Sequence, residues 1–292
     1  MQLNSEVVTT PPRASATVVL LRDAPQKGLE VFLLRRHKAS AVLGGAYVFP
    51  GGKLDESDCE ANLHAHLDAT PHVLHQALGE LELPVHTAVG LYVAAVREML
   101  EECGVLLSPE STEPTQRLQW QKQLHAGQRF VDVLQSSKLT IDTNNLAPWS
   151  RWITPRVPAV TNKRFDTRFF VAVLPPDQSP VHDNVEAIDS VWLSPRDALE
   201  RYWSGGLSLA PPQIMTLASL VPHAHTSSVL QMARQQKPPL IEPEPFDDDG
   251  IRTLCYPGDP KHSVAQRAMI GPTRLRFVAG RFEPVGGFEE FV

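Results

Sequence analysis

A mixed α/β fold is what this sequence predicts, and three observations carry the prediction. Runs of β-branched and apolar residues open the chain, a block of helical periodicity fills its middle, and strands and helices follow again toward the C-terminus. Strands, then helices, then strands fit an α/β (α+β) sandwich around a mixed sheet better than a succession of βαβ units. No internal repeat is present.

The elements follow in order. Ser15–Arg22 (SATVVLLR) and Leu29–Arg35 (LEVFLLR) read as strands joined by the Pro- and Gly-containing turn Asp23–Gly28. Tyr47–Phe49 is a third, shorter strand running into a Gly51-Gly52 turn. Glu60 to Glu82 is weakly helical and rich in His and Ala, whereas Thr87–Cys103 is the best helix of the chain. Glu113–Leu139 holds two more helices, broken near Gly127. Strands resume at Ser150–Ile153, Arg168–Leu174 and Ile188–Leu193. Ser194 as N-cap and Pro195 at the first helical position start a helix that stops at Gly205-Gly206. Pro211–Val221 and Ser227–Gln236 read as short helices, EPEPFDDDG as an acidic loop, and RLRFVAGRFEPV as a hairpin turning at Ala279-Gly280.

The bulk numbers narrow the function classes. With 292 residues, 42% hydrophobic and 21% charged, the chain has the composition of a globular protein with a sizeable core. Net charge is −6 and the pI near 6.0, so the basic footprint of a nucleic-acid binder is missing. An anionic small molecule would need a metal cation or a local basic cluster to hold it. Three cysteines at unrelated spacings argue for a reducing compartment without a disulfide framework. The polar opening MQLNSEVVTTPPRAS does not read as a signal peptide, and no apolar run reaches membrane-spanning length. A soluble intracellular protein is expected, cytoplasmic by default because EEFV is not a peroxisomal address.

The chemistry concentrates in AAVREMLEECGV, Ala94–Val105. At about 100° per residue, Glu102 falls about 40° to one side of Glu98 and Glu101 about 60° to the other. Val89, Tyr92, Val93, Val96, Met99, Leu100 and Cys103 share the opposite, apolar face, and Gly104 supplies the stop. An acidic helix face is ordinarily just solvated. Here like charges at i, i+3 and i+4 repel with only Arg97 nearby to offset them. Carboxylates so concentrated are what a hard divalent cation such as Mg²⁺ or Mn²⁺ requires.

Arg97-Glu98-Met99-Leu100-Glu101-Glu102-Cys103-Gly104-Val105 resembles the second half of the Nudix box, REUxEExGU with U apolar. The first half, a Gly followed six positions later by an acidic residue, is met by Gly52 and Asp58, with Asp where the family usually has Glu. Asp58 precedes Arg97 by 39 positions where the usual spacing is 8, so 31 extra residues split the box. Loop closure grows costlier only slowly with length, which lets such an insertion leave and re-enter at neighbouring points. A split box is similar to that of the Nudix branch containing the peroxisomal CoA and acyl-CoA diphosphatases. LLRRHKASAVLGGAYVFPGGKLDESD, RFDTRFFVA, WLSP and YPGDPKH extend the likeness over most of the chain.

That resemblance implies a Nudix-type α/β/α sandwich over residues 1–221. A helical insertion occupies about 59–88 and further helices about 113–139, while a C-terminal extension, 222–292, packs on the same domain. It also implies metal-dependent hydrolysis of a diphosphate in a nucleotide, CoA or acyl-CoA foremost. ADP-ribose or another nucleoside diphosphate derivative is the alternative substrate, and a non-catalytic nucleotide-sensing module the alternative class. All three of Glu98, Glu101 and Glu102 are retained, which favours an enzyme.

By the same resemblance, Glu98, Glu101 and Glu102 would ligate Mg²⁺ or Mn²⁺ with the Gly51 carbonyl, and Asp58 would support them. The metal would neutralise the diphosphate and lower the pKa of the attacking water. Arg97 would brace Glu101, or else form a surface ion pair of little worth. Gly51 and Gly52 would let the backbone approach the phosphates. Arg35, Arg36 and Lys38, with His37 between them, would grip phosphate, as would Arg164 and Arg168; an exposed strand end is the competing reading. Glu186 lies where some family members place another acidic base or ligand. His64, His66, His72 and His75 lack the spacing of a zinc site, and Asp247-Asp248-Asp249-Gly250 lacks the rest of a calcium loop. The expected partner is a small-molecule nucleotide, with no nucleic acid or membrane; a homodimer is compatible with this reading.

Overall fold

A computed structural model describes residues 7–40, 43–157 and 163–292. The apolar run predicted to open the chain forms β1 (Arg13–Ala24), which turns back into β2 (Gly28–Arg36). Two short strands flank the glycine turn, β3 (Tyr47–Val48) and β4 (Gly51–Lys53). β5 (Leu146–Ile153), β6 (Phe165–Val173) and β7 (Ala187–Leu193) complete the predicted set. One sheet orders β3-β2-β1-β6-β5 and ends on β8 (Leu240–Ile241), with β4 paired to β1 and β7 to β2. The sheet is mixed, as expected: β1 runs parallel to β6 and antiparallel to β2 and β4.

A 3-10 turn (Glu56–Cys59) carries Asp58 into the insertion, which supplies a second 3-10 turn (Ala61–His66) and one helix, α1 (Pro71–Leu78). Then comes α2 (Val85–Cys103), 19 residues long, beginning two residues before the predicted start and stopped by Gly104 at φ 67°. α3 (Pro114–His125) and α4 (Phe130–Ser137) break at Gly127 as predicted. α5 (Pro195–Trp203) is capped by the Ser194 side chain, which accepts from the Asp197 N–H. α6 (Pro211–Leu220) and α7 (Thr226–Gln235) follow.

Two apolar cores sandwich the sheet. On one face Ala16, Val18 and Phe170 meet the buried side of α2, including Tyr92, Val96 and Met99. On the other, Val19, Phe169 and Trp152 meet α5, α6 and α7. Leu254, Tyr256, Leu275 and Phe282 of the C-terminal extension are buried in that second core. The extension folds as a second, four-stranded antiparallel sheet of β9 (Glu244–Asp248), β10 (Ile251–Cys255), β11 (Arg274–Val278) and β12 (Arg281–Pro284). The segment EPEPFDDDG is therefore corrected from a loop to a strand with a tight turn. β10 offers it a ladder, Ile251 opposite Asp248 through Cys255 opposite Glu244, and pairing overrides poor strand propensity.

Candidate active site

The glycine turn and the acidic helix, far apart in sequence, meet where β4 lies under α2. Gly51 and Gly52 pair with Thr17 and Ala16 of β1, which presses the turn against the helix. The Gly51 N–H donates to Glu102 Oε2 at 2.9 Å. A Cβ on Gly52 would stand 2.2 Å from Glu98 Oε1, so the space over this glycine belongs to the Glu98 carboxylate.

Arg97 binds the two halves together. Its Nε donates to Asp58 Oδ1 and its Nη2 to Asp58 Oδ2, both at 2.9 Å, and Nη2 also donates to the Lys53 carbonyl at 2.9 Å. Nη1 donates to Glu98 at 2.9 Å and reaches Glu101 at 3.4 Å. Arg97 is only 6% exposed and Asp58 1%. Burial would lower the Arg97 pKa, but Asp58, Glu98 and Glu101 outweigh it and hold the guanidinium charged. Arg97 thus does more than brace Glu101, which is its longest contact of the three. The expectation that Asp58 supports a metal is revised: its second oxygen also accepts from the Asp55 N–H, so both are engaged within the protein. Its reach across the insertion to Arg97 is the reason.

The remaining carboxylates are poorly compensated. Burial, then the charges of Glu101 and Glu186, push Glu98 up to about 7 against the pull of Arg97. Burial and then Glu98 itself raise Glu102 well above the usual carboxylate range, with the Gly51 N–H opposing. Glu101 is raised as well, chiefly by burial. Behind the helix, Gln121 and His125 of α3 approach the Glu101 carbonyl at 2.8 and 3.1 Å, fixing the last turn of α2 to the next helix.

The far wall is β2 with the loop before β7. Arg36 pairs with Glu186 at 3.3 Å, and the His37 N–H donates to the Glu186 carbonyl. Asp183 shapes this loop by accepting the N–H groups of Val185, Glu186 and Ala187. Arg35 points to the other face of β2, 5.9 Å from the Tyr47 ring of the second core and away from the carboxylates, as strand alternation after Leu33 and Leu34 dictates. The buried Nε of both Arg35 and Arg36 has no hydrogen-bond partner among the described residues. Lys38 is exposed just beyond. Two other predicted phosphate ligands lie elsewhere. Arg168 is buried in ion pairs with Glu80 at 2.5 Å and Asp166 at 2.9 Å. Arg164 donates to the Thr154 carbonyl and faces Glu242. Both are corrected to structural positions, because buried guanidinium groups are held by carboxylate or carbonyl partners.

Among the described residues, no group of three His, Cys, Asp or Glu side chains is spaced to hold a metal ion, with Arg97 drawing Glu98 and Glu101 toward itself. The donor chemistry nevertheless suits a hard divalent cation. Oxygen ligands, excess buried negative charge and a turn without side chains converge at Glu98, Glu102 and Gly51. The insertion histidines give no such set: His66 and His75 face the carbonyls of Leu139 and Glu80.

An α/β sandwich with an acidic helix end packed on a double-glycine turn is the arrangement of a Nudix hydrolase. A solved Nudix hydrolase from Alicyclobacillus acidocaldarius is similar in fold, with a TM-score of 0.63 and 28% identity over 76% of this chain and 97% of that one. The chain belongs to the family of the NUDT19 Nudix domain, whose model matches residues 68–220. Proteins named acyl-coenzyme A diphosphatase NUDT19 are similar in sequence. The one from Homo sapiens is 30% identical over 247 residues, covering 71% of this chain and 64% of that protein. That from Xenopus laevis is 28% identical over 225 residues, 65% of this chain and 59% of the relative. The matched region thus spans roughly three-fifths of these relatives' length.

Proposed function

We propose that this protein hydrolyses the diphosphate of CoA or acyl-CoA, releasing 3′,5′-ADP and 4′-phosphopantetheine or its acylated form. The observation that carries the reading is the crowding of Glu98 and Glu102, both raised in pKa, over the Gly51-Gly52 turn. The choice of substrate rests on the similarity to proteins named acyl-coenzyme A diphosphatase. Glu98, Glu101, Glu102 and the Gly51 carbonyl would hold Mg²⁺ or Mn²⁺. Such a cation, when bound, supplies charge neutralisation and orientation of the diphosphate.

The chain's own groups do the rest. Gly51 and Gly52 let the turn close on β1 and on the Glu98 carboxylate without a side chain between them, and Arg97 fixes the helix to the turn so that this approach is constant. Arg36, with a spare buried donor beside Glu186, binds the negative substrate from the end of β2, with exposed Lys38 at the rim. Arg35, also expected to grip phosphate, faces Tyr47 on the other side of the sheet. Water adds to one phosphorus as the bridging P–O bond breaks. Glu186, exposed and across from Glu98, takes the proton that the water loses.

The test is incubation with Mg²⁺ or Mn²⁺ and CoA, acyl-CoA, ADP-ribose, NADH or diadenosine polyphosphates, with products identified by mass spectrometry. Release of 3′,5′-ADP from CoA or acyl-CoA is expected. Turnover of ADP-ribose with CoA untouched would overturn the substrate assignment.

A further inference from the structure

A cavity of about 630 Å³ opens on the face of the sheet opposite α2. Trp149 and Trp152 of β5 form its floor; Met215 of α6, Met232 of α7 and Met269 of the extension form its walls. Its size is that of a small-molecule site. None of the residues placed in the diphosphate reaction lines it.

The lining selects a ligand chemistry. Methionines are unbranched and reshape around a flexible chain, while the tryptophans add broad apolar surface. Arg267 is the only charged residue among the described lining residues. It is exposed, and donates to the Met269 and Gly271 carbonyls rather than to a carboxylate. Exposed Ile270 and the Gln236 amide complete the mouth. A cationic ligand would meet Arg267, whereas an apolar chain ending in an anionic or neutral polar group satisfies floor and mouth together.

We infer that this cavity binds the aliphatic chain of a fatty-acyl ligand; preferring acyl chains over other apolar groups rests on the acyl-CoA reading above. The chain has two sources, the acyl group of an acyl-CoA and a free fatty acid. Shared cavity chemistry serves either.

The experiment uses the full chain in EDTA, so that nothing turns over. Tryptophan fluorescence is followed during titration with fatty acids of 8 to 16 carbons, the matching fatty alcohols and acyl-CoAs, and free CoA. Saturable quenching is expected, with Kd falling roughly 3- to 4-fold per added methylene. Ala233→Phe, which fills the cavity from α7, should abolish it. Arg267→Glu should weaken the fatty acids at least 10-fold while sparing the alcohols. If Ala233→Phe loses its near-UV circular dichroism, Ile270→Asp at the exposed mouth replaces it. No saturable binding of the longest chains, or binding unchanged in these variants, would overturn the inference. With Mg²⁺ restored, a raised KM for acyl-CoA but not for CoA in Ala233→Phe assigns the cavity to the substrate tail. An unchanged KM assigns it to a free fatty-acyl ligand. Absence of any hydrolysis would sink the proposed function and leave the binding result standing.

Discussion

Among the described residues Glu102 has a single hydrogen-bond partner, the Gly51 N–H, and a second carboxylate for a neighbour. That imbalance sets function against stability at one residue. Glu102→Gln removes a like charge and keeps the shape, so activity should fall at least ~10²-fold while the melting temperature in EDTA at pH 8 rises. Calorimetry alongside a turnover assay checks both signs. Glu98 and Glu102 bind protons more tightly folded than unfolded. Their stabilising contribution is therefore full below the ordinary carboxylate pKa near 4.5 and is lost as pH rises through the raised folded-state values, about 7 for Glu98. For Glu98 alone the loss is roughly 3 kcal/mol. In EDTA, the melting temperature should drop by roughly 5–10 °C between pH 5 and 8, and much less in Glu98→Gln. At Gly52 the added Cβ of Gly52→Ala must push the Glu98 carboxylate aside. Displacements near 1 Å cost ~10²-fold in rate, so kcat should fall by that order with little change in thermal stability.

At the scale of elements, α2 was legible in the sequence because a 3.6-residue apolar period and a terminal glycine act within one segment. Seven residues predicted for its apolar face, from Val89 to Cys103, are all buried. Arg168 was not legible, because its partner Glu80 comes from the insertion, 88 positions away, and only folding brings them together. β4 was missed because three residues, two of them glycine, carry no strand propensity; its pairing with β1 makes it a strand. The Arg97–Asp58 contact was hidden for the same reason, since spacing gave Asp58 a place in the motif but no partner. Buried ion pairs are costly to break from one side. Asp58→Ala should cost about 3–5 kcal/mol, whereas Asp58→Leu combined with Arg97→Met should cost less than the two single changes added together. Urea denaturation of the four proteins in the cycle measures that coupling.

Across the whole molecule, residues beyond α6 share the core with the strands before it. Val229, Ile241, Tyr256, Leu275 and Phe282 are buried with Val19, Val31 and Phe169. Ile241 also pairs with Trp152 at the end of the main sheet. Ending the chain after Val221 should expose that face, and the product should aggregate or bind a hydrophobic dye, as size-exclusion chromatography and fluorescence would record. The C-terminal hairpin itself was legible from its Ala279-Gly280 turn, with Val278 opposite Arg281 as a two-residue loop requires. Its docking against α5, where the Tyr202 hydroxyl donates to the Phe282 carbonyl and the Phe282 N–H to that hydroxyl, has no local signature.

The interrupted motif has a consequence for how such a site changes over time. In an unbroken motif, chain connectivity keeps turn and helix in register, and every inserted residue threatens the alignment. Here a guanidinium bolts Asp58 and the Lys53 carbonyl to the helix, so the intervening stretch is released from that duty. It can lengthen or shorten between its anchored positions, such as Glu80 on Arg168, while the bolt holds. Variation in that stretch therefore says little about whether two such proteins share a chemistry; loss of the Arg97–Asp58 pair says a great deal.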